Sequence, residues 1–385
     1  MKKTLLLLVV FCSLSLFVRS NSMIGNKNDL PQSPKSEWMK GKYGLMVHWI
    51  SPYFDKTKTN KSPLPENGKF KSELNEAVNG FDVNRFMKDF DRLGAEWLIF
   101  TIGQNTGTYA SPNSVIDSLA GLGHTPERDL VLEIAKAVKK RGKRFIAYLP
   151  CEIRINESLH KGFAWNAELN TGQAEFQRLY LKAVREWALR FGKNLDGWWF
   201  DGCYPDHPIF DNKYMKWADW YDAARAGNND AVLTFNDGSY LVPIIKPVRP
   251  EHDYLSGEQQ VVIDGKLRLG LKKEGAELYL PETAYIEGTQ CLNHTLLAID
   301  CYWAHGNGIA PDWANFPFKP IYTSTPDGME PPAYTEEQLQ QFVKNYTSIG
   351  GAVTLNVGIF QEGHIGKLTL EQLQELKKNY KKWKK

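Results

Sequence analysis

Apolar residues along this chain come in short, dense runs, separated by longer stretches in which they recur every three or four positions. Short runs of that kind read as buried strands, and the stretches between them as amphipathic helices. The spacing predicts strands at residues 45–48, 96–101, 144–149, 198–201 and 232–236. Shorter candidates fall at 254–258 and 277–282, and an eighth strand at 352–357. Helices are expected at 81–93, with Asp82 at its start and Gly94 at its end, at 126–141, closed by Gly142, and at 173–191, 335–348 and 369–383. Strands alternating with helices pair in parallel through right-handed crossovers. Eight of them over roughly 340 residues fit an α/β fold of the (β/α)8 barrel type with long loops. A doubly wound open sheet is the other topology, and the glycine fingerprint of dinucleotide binding is missing from the sequence.

In a barrel of this kind, reactive groups stand at the C-terminal ends of the strands. The most aromatic run of the chain, Leu195-Asp196-Gly197-Trp198-Trp199-Phe200-Asp201-Gly202, ends in a carboxylate. It reads as a buried strand that delivers Asp201 to the mouth of a site, although an Asp followed by Gly202 also suits a simple turn. Other polar residues finish the remaining strands: His48 and Trp49, Gln104 and Asn105, Glu152, Asn236 and Asp237, Glu258 and Glu282. Several carboxyls on one rim, with a Trp and a His, suit glycoside hydrolysis. That reaction needs a carboxylate on one side of the anomeric carbon and a carboxylic acid near the leaving oxygen. Each residue has a plainer reading beside this one. His48 could be a satisfied core histidine, Glu152 could pair with Arg154 or Arg144, and Glu258 and Glu282 compete for one acid role.

Composition adds a little. The chain has 12 Trp, 17 Tyr and 19 Phe; aromatic rings stack on the apolar faces of sugars, and they also fill large cores. Lys2 and Lys3, the apolar stretch 4–18 and the small or polar residues 20–22 read as a signal peptide over 1–22, followed by a polar linker over 23–40 and one catalytic domain over 41–385. The expectation is an exported protein, periplasmic or secreted, with no membrane association after cleavage. The formal charge of +3 mostly leaves with Lys2, Lys3 and Arg19, so no electrostatic case exists for nucleic acid as a partner. Cys151, Cys203, Cys291 and Cys301 form no C-x-x-C pair, which argues against zinc.

The chain resembles glycoside hydrolase family 29, the α-L-fucosidases. The likeness runs from Gly41-Lys-Tyr-Gly-Leu-Met-Val-His48-Trp49 through Leu93-Gly94-Ala95-Glu96-Trp97 and Arg128-Asp129-Leu130-Val131. It continues through Trp199-Phe200-Asp201-Gly202 and Asp253-Tyr254-Leu255-Ser256-Gly257-Glu258 to Gly350-Gly351 and Leu355-Asn356-Val357-Gly358. It implies a retaining mechanism with Asp201 as nucleophile and Glu258 as acid/base, Glu282 being the reserve. His48, Trp49, Gln104, Asn105, Trp199 and Glu152 are the expected substrate-binding residues. It also implies an oligosaccharide or glycoconjugate substrate, and no metal or organic cofactor. Two departures stand out. Where the family carries Lys-His-His-Asp-Gly after strand two, this chain reads Ile102-Gly103-Gln104-Asn105-Thr106-Gly107, which can hydrogen-bond but cannot carry positive charge. The sequence also ends after the last expected helix, with no C-terminal β-sandwich.

Overall fold

The computed structural model describes residues 34–52, 54, 74–166, 168, 172–203, 214–238, 244–249, 251–263, 266–269, 279–301 and 326–383. Nine strands lie among them: β1 Tyr43–Val47, β2 Trp97–Thr101, β3 Arg144–Pro150, β4 Gly197–Asp201, β5 Val232–Phe235, β6 Gln260–Ile263, β7 Lys266–Leu269, β8 His294–Ala298 and β9 Ala352–Val357. Seven form one sheet in the order β5-β4-β3-β2-β1-β9-β8, curled as a half-barrel. Every pairing in it is parallel. β6 and β7 form a separate antiparallel hairpin. The helices are α1 Leu74–Asn79, α2 Val83–Leu93, α3 Ser114–Ala120, α4 Leu130–Lys140, α5 Glu157–His160, α6 Ala174–Phe191, α7 Trp217–Ala224, α8 Glu336–Ser348 and α9 Lys367–Trp383.

Local chemistry fixes where the helices begin. The Asp82 side chain accepts from the Arg85 N–H at 3.0 Å and opens α2, which Gly94 closes in a left-handed conformation. Asp129 does the same for α4 through Leu132 N–H, and Thr335 with Gln338 forms a capping box at α8. The 126–141 expectation therefore shortens at its front, because Asp129 is a cap and not a helical residue.

Two expected strands are corrected. Residues 254–258 form no regular strand. Tyr254 and Glu258 instead make isolated parallel bridges to Leu292 and Leu296, and Asp253 N–H donates to the Leu233 carbonyl at 3.0 Å. The segment thus runs hydrogen-bonded between β5 and β8. Gly257 breaks its ladder: it adopts φ +79°, and a Cβ there would lie 2.3 Å from the His294 carbonyl oxygen, so only glycine fits. The Arg225–Asp253 ion pair, 2.6 Å long, ties down the start of the segment. The candidate at 277–282 lies partly outside the described residues, and 279–282 are not strand. The next strand along the chain is β8. The polar groups of its His294 are satisfied inside, Nδ1 against the Leu255 carbonyl and Nε2 against Thr354 Oγ1, each at 2.7 Å. Residues 1–33 lie outside the described residues, and Lys35–Met39 within the expected linker forms a 3-10 helix.

Period-two alternation splits each strand between two apolar layers. Leu45, Val47, Leu98, Phe100, Ala147, Leu149, Trp198, Phe200, Leu233 and Phe235 face the helices. Met46, Trp97, Ile99, Ile146, Tyr148, Trp199, Val232, Tyr254 and Leu296 form the inner cluster. Each such side chain contributes about 1.5–3 kcal/mol by leaving water. The inner face of the sheet is thus packed solid by large rings, and the residues just beyond them, toward the C-terminal end of each strand, form the rim.

Candidate active site

Continuing the inner face of each strand by two or four residues gives one layer. His48 follows Met46, Tyr148 follows Ile146, Asp201 follows Trp199, Asn236 follows Val232 and Thr234, and Asn356 follows Thr354. Glu258 follows Tyr254 in the bridged segment. Asp201 is the centre of the layer. Its Oδ2 accepts from the Tyr148 phenol at 2.5 Å and its Oδ1 from Asn236 Nδ2 at 2.9 Å. Tyr148 also reaches Gln104 Oε1. The phenol has one proton, and the charged acceptor holds it more strongly. The Gln104 amide, turned over, can donate to the phenol oxygen instead. Tyr148 is itself stacked on Trp199, ring centroids 5.3 Å apart, and meets the His48 ring edge-on at 4.8 Å.

His48 bonds Asn356 Oδ1 through Nδ1 at 3.0 Å. Burial pushes its pKa down to about 4 against that bond, so it is a neutral imidazole near pH 7. Glu258 is 3% exposed, and its Oε2 has no hydrogen-bond partner. Burial, and then the charge of Asp201, hold its carboxyl well above the usual range, opposed by a hydrogen bond from Asn236 and reinforced by Asp237. Glu258 is therefore biased toward its protonated form. Glu152, 5% exposed, is also pushed up, to about 7. Burial is the main cause and Asp201 a further one, while the Arg154 backbone N–H and charge oppose them. Arg144, the other partner considered for Glu152, instead joins Lys139 on the buried Asp196, both at 2.7 Å.

A narrow cleft of about 10 Å³, room for one small polar group, adjoins Asp201 and is lined by Asn105, Pro150, Glu152, Arg154, Ile155 and Gly202. A larger groove around Phe81, Asp82, Arg128 and Lys136 lies on the outer, helix side, at the start of α2 and among α4 residues. Among the described residues no cluster of three or more His, Cys, Asp or Glu could hold a metal ion.

The layer thus brings together Asp201, Glu258, Glu152, His48, Gln104 and Asn105. It corrects the placing of two aromatic residues. Trp49 has the parity of Leu45 and Val47, packs edge-on against Phe81 on the helix side, and gives its indole N–H to the Gln361 carbonyl at 3.0 Å. It cannot line the pocket. Trp199 is buried one layer below Asp201 and supports Tyr148. Glu282 is exposed in the loop that leads into the N-terminal end of β8, the end opposite the rim. Sequence reasoning noted Asn236 only as a strand-end residue, with no role, and passed over Tyr148 and Asn356. The available signal was parity: each is a polar residue on the inner face of its strand.

Comparison with known proteins bears on the family and the fold. A family model described as α-L-fucosidase matches residues 30–242, more than half of the chain, and stops short of Glu258. No curated protein sequence matches. Among solved structures, α-L-fucosidase isoenzyme 1 from Paenibacillus thiaminolyticus is similar at 18% identity and a TM-score of 0.58, covering 90% of this chain and 75% of that one. The endo-fucoidan hydrolase MfFcnA9 from glycoside hydrolase family 107 is similar at 17% identity and 0.59, covering 91% of this chain and 64% of that one. For MfFcnA4, of the same family, the figures are 17% and 0.57, covering 90% and 53%. The chain therefore spans between about half and two thirds of the length of these fucoidan hydrolases. At such identities the likeness concerns the fold.

Proposed function

Because the chain belongs to the α-L-fucosidase family, we propose that it is an exported retaining glycosidase that removes terminal α-L-fucosyl groups from glycans. Asp201 is the nucleophile. Its oxygen attacks the anomeric carbon as the bond to the leaving oxygen breaks, and Glu258 gives that oxygen its proton. The resulting glycosyl ester is then opened by water, from which Glu258 takes a proton, so that the configuration is kept. The observation that carries this reading is the pair of carboxyls beside Asn236: its amide donates to Asp201, and Glu258 is buried nearby with its pKa raised by burial and by the Asp201 charge. Enzymes of this class need such a divergence of two neighbouring carboxyls. His48, Gln104, Asn105 and Glu152 bind sugar hydroxyls. Export rests on the apolar stretch near the N-terminus. The finer fold reading, a closed (β/α)8 barrel, is supported by the hydrogen bonds of residues 253–258 to β5 on one side and to β8 on the other.

The test is a panel of aryl α- and β-glycosides with NMR to follow the anomeric configuration. Hydrolysis of the α-L-fucoside with retention, abolished in a folded Asp201→Ala variant, is the expected result; full activity in that variant would remove the mechanism. One observation favours a second reading, a glycosidase for another sugar. Gln104 and Asn105 stand where the family carries its histidine pair, and Gln104 is already engaged by Tyr148. Preference for a different glycone in the same panel would decide for it.

A further inference from the structure

Glu152 is a third carboxyl beside the nucleophile, and the two chemical steps leave it without a part. It follows β3 by two residues and packs against the turn that carries Asp201. Gly202 adopts φ +83°, and a Cβ there would come within 3.0 Å of Glu152 Cγ. The absent side chain is what lets the carboxyl approach. The backbone N–H of Arg154 occupies Glu152 Oε2. The rest of the side chain forms pocket wall, facing the space that Asn105 and Asp201 also line. Asn105 also lines that space, and its Oδ1 is a buried acceptor with no hydrogen-bond partner. A sugar hydroxyl entering here gives its proton to Asn105 and needs a donor for its own oxygen.

We infer that Glu152 is a substrate-positioning group that works as the neutral acid, donating a hydrogen bond from the pocket wall to the hydroxyl that Asn105 accepts from. The inference rests on the glycosidase reading and assigns this carboxyl a task within it. Charge argues the same way. Among the described residues, Asp201 on β4 and Arg154 on its own loop are the charged groups that face Glu152, and the Cys151 thiol and the Tyr180 phenol of α6 are nearby groups whose pKa values burial raises. Ionised, Glu152 would put a second negative charge against Asp201 and present an acceptor where a donor is required. Its pKa of about 7 leaves the acid form in place on the acid side of neutrality and removes it above.

The experiment follows kcat and KM for 4-nitrophenyl α-L-fucopyranoside from pH 5 to 9 in the full chain and in Glu152→Gln and Glu152→Ala. The wild type is expected to lose about tenfold in kcat/KM per pH unit once past pH 7, mainly through KM. Glu152→Gln, a permanent neutral donor, should stay within a few-fold of wild type at pH 6 and hold that rate to pH 8. Glu152→Ala should raise KM about tenfold or more at every pH. The inference is overturned if the Gln variant keeps the wild-type pH curve, or is as impaired as the Ala variant, while Asp201→Ala is inactive. If the wild type turns over no fucoside, the enzymatic reading fails instead. Infrared difference spectra then judge Glu152: a carboxylic-acid band lost between pH 6 and 8, and missing in Glu152→Gln, supports the neutral acid, and its absence in wild type overturns it.

Discussion

Asn236 stands on the strand beside Asp201 and donates its amide to the Asp201 carboxylate over 2.9 Å. It also lies close enough to Glu258 to lower that carboxyl's pKa. One side chain therefore adjoins both carboxyls. Asn236→Ala should lower kcat by about 10- to 100-fold, the value of a hydrogen bond to a charged group. Because the amide lowers the pKa of Glu258, the alkaline limb of the rate should move upward in the variant. Steady-state kinetics against pH check both; an unchanged kcat would remove this role.

Glu258, buried with its pKa raised by burial and by the Asp201 charge, is matched to protonating a leaving oxygen. Glu258→Ala should slow substrates with poor leaving groups by about 100-fold or more and barely touch activated aryl ones, and azide should restore part of the rate. The check is a leaving-group series with and without azide. The same pattern in Glu282→Ala, despite its exposed position in a loop, would show the acid to be elsewhere.

Gln104 and Asn105 stand where charged or chargeable rings would grip the glycone. Gln104→His with Asn105→His should tighten fucose binding by about tenfold, the usual value of one added good polar contact. Isothermal titration with L-fucose measures it. No change would indicate another sugar.

His252 is fully buried between Phe235 and Trp217, with neither ring nitrogen hydrogen-bonded. Burial pushes its pKa down to about 3 from 6.5, helped by the Arg249 charge. Below pH 6.5 the unfolded chain gains a proton that the folded chain refuses until about pH 3, so stability falls as pH falls through that window. His48 and His294, held at about 4, add to the trend. His252→Phe should remove about 2 kcal/mol of the loss between pH 7 and pH 5, visible by calorimetry as a smaller fall in Tm.

Dense apolar runs announced β1 to β5 and β9, because each buries both faces and tolerates little else. β8 escaped notice since its inner face carries His294, a polar residue made acceptable only by Leu255 and Thr354, partners distant in sequence. The competing stretch at 277–282 had the better local pattern. Asp201 could be seen as the abrupt end of an aromatic strand, and Glu258 by position along the chain. The roles of Tyr148 and Asn236 arise from register between neighbouring strands, which local pattern does not encode. Trp49 misled because it is adjacent to His48 in sequence, and adjacency along a strand means opposite faces.

Beneath the rim, Trp97, Trp199 and Tyr254 occupy the inner face of the curled sheet, with Tyr148 stacked above them. Among the described residues, such a floor fills the inner face below the rim. On the glycosidase reading, a sugar that enters from the rim would leave on the same side, where the departing fragment would stand in the path of the incoming water. Turnover would then be paced by traffic at one doorway, so that changes in the surrounding loops would alter product retention, and with it the share of transfer to other acceptors, without touching the carboxyls.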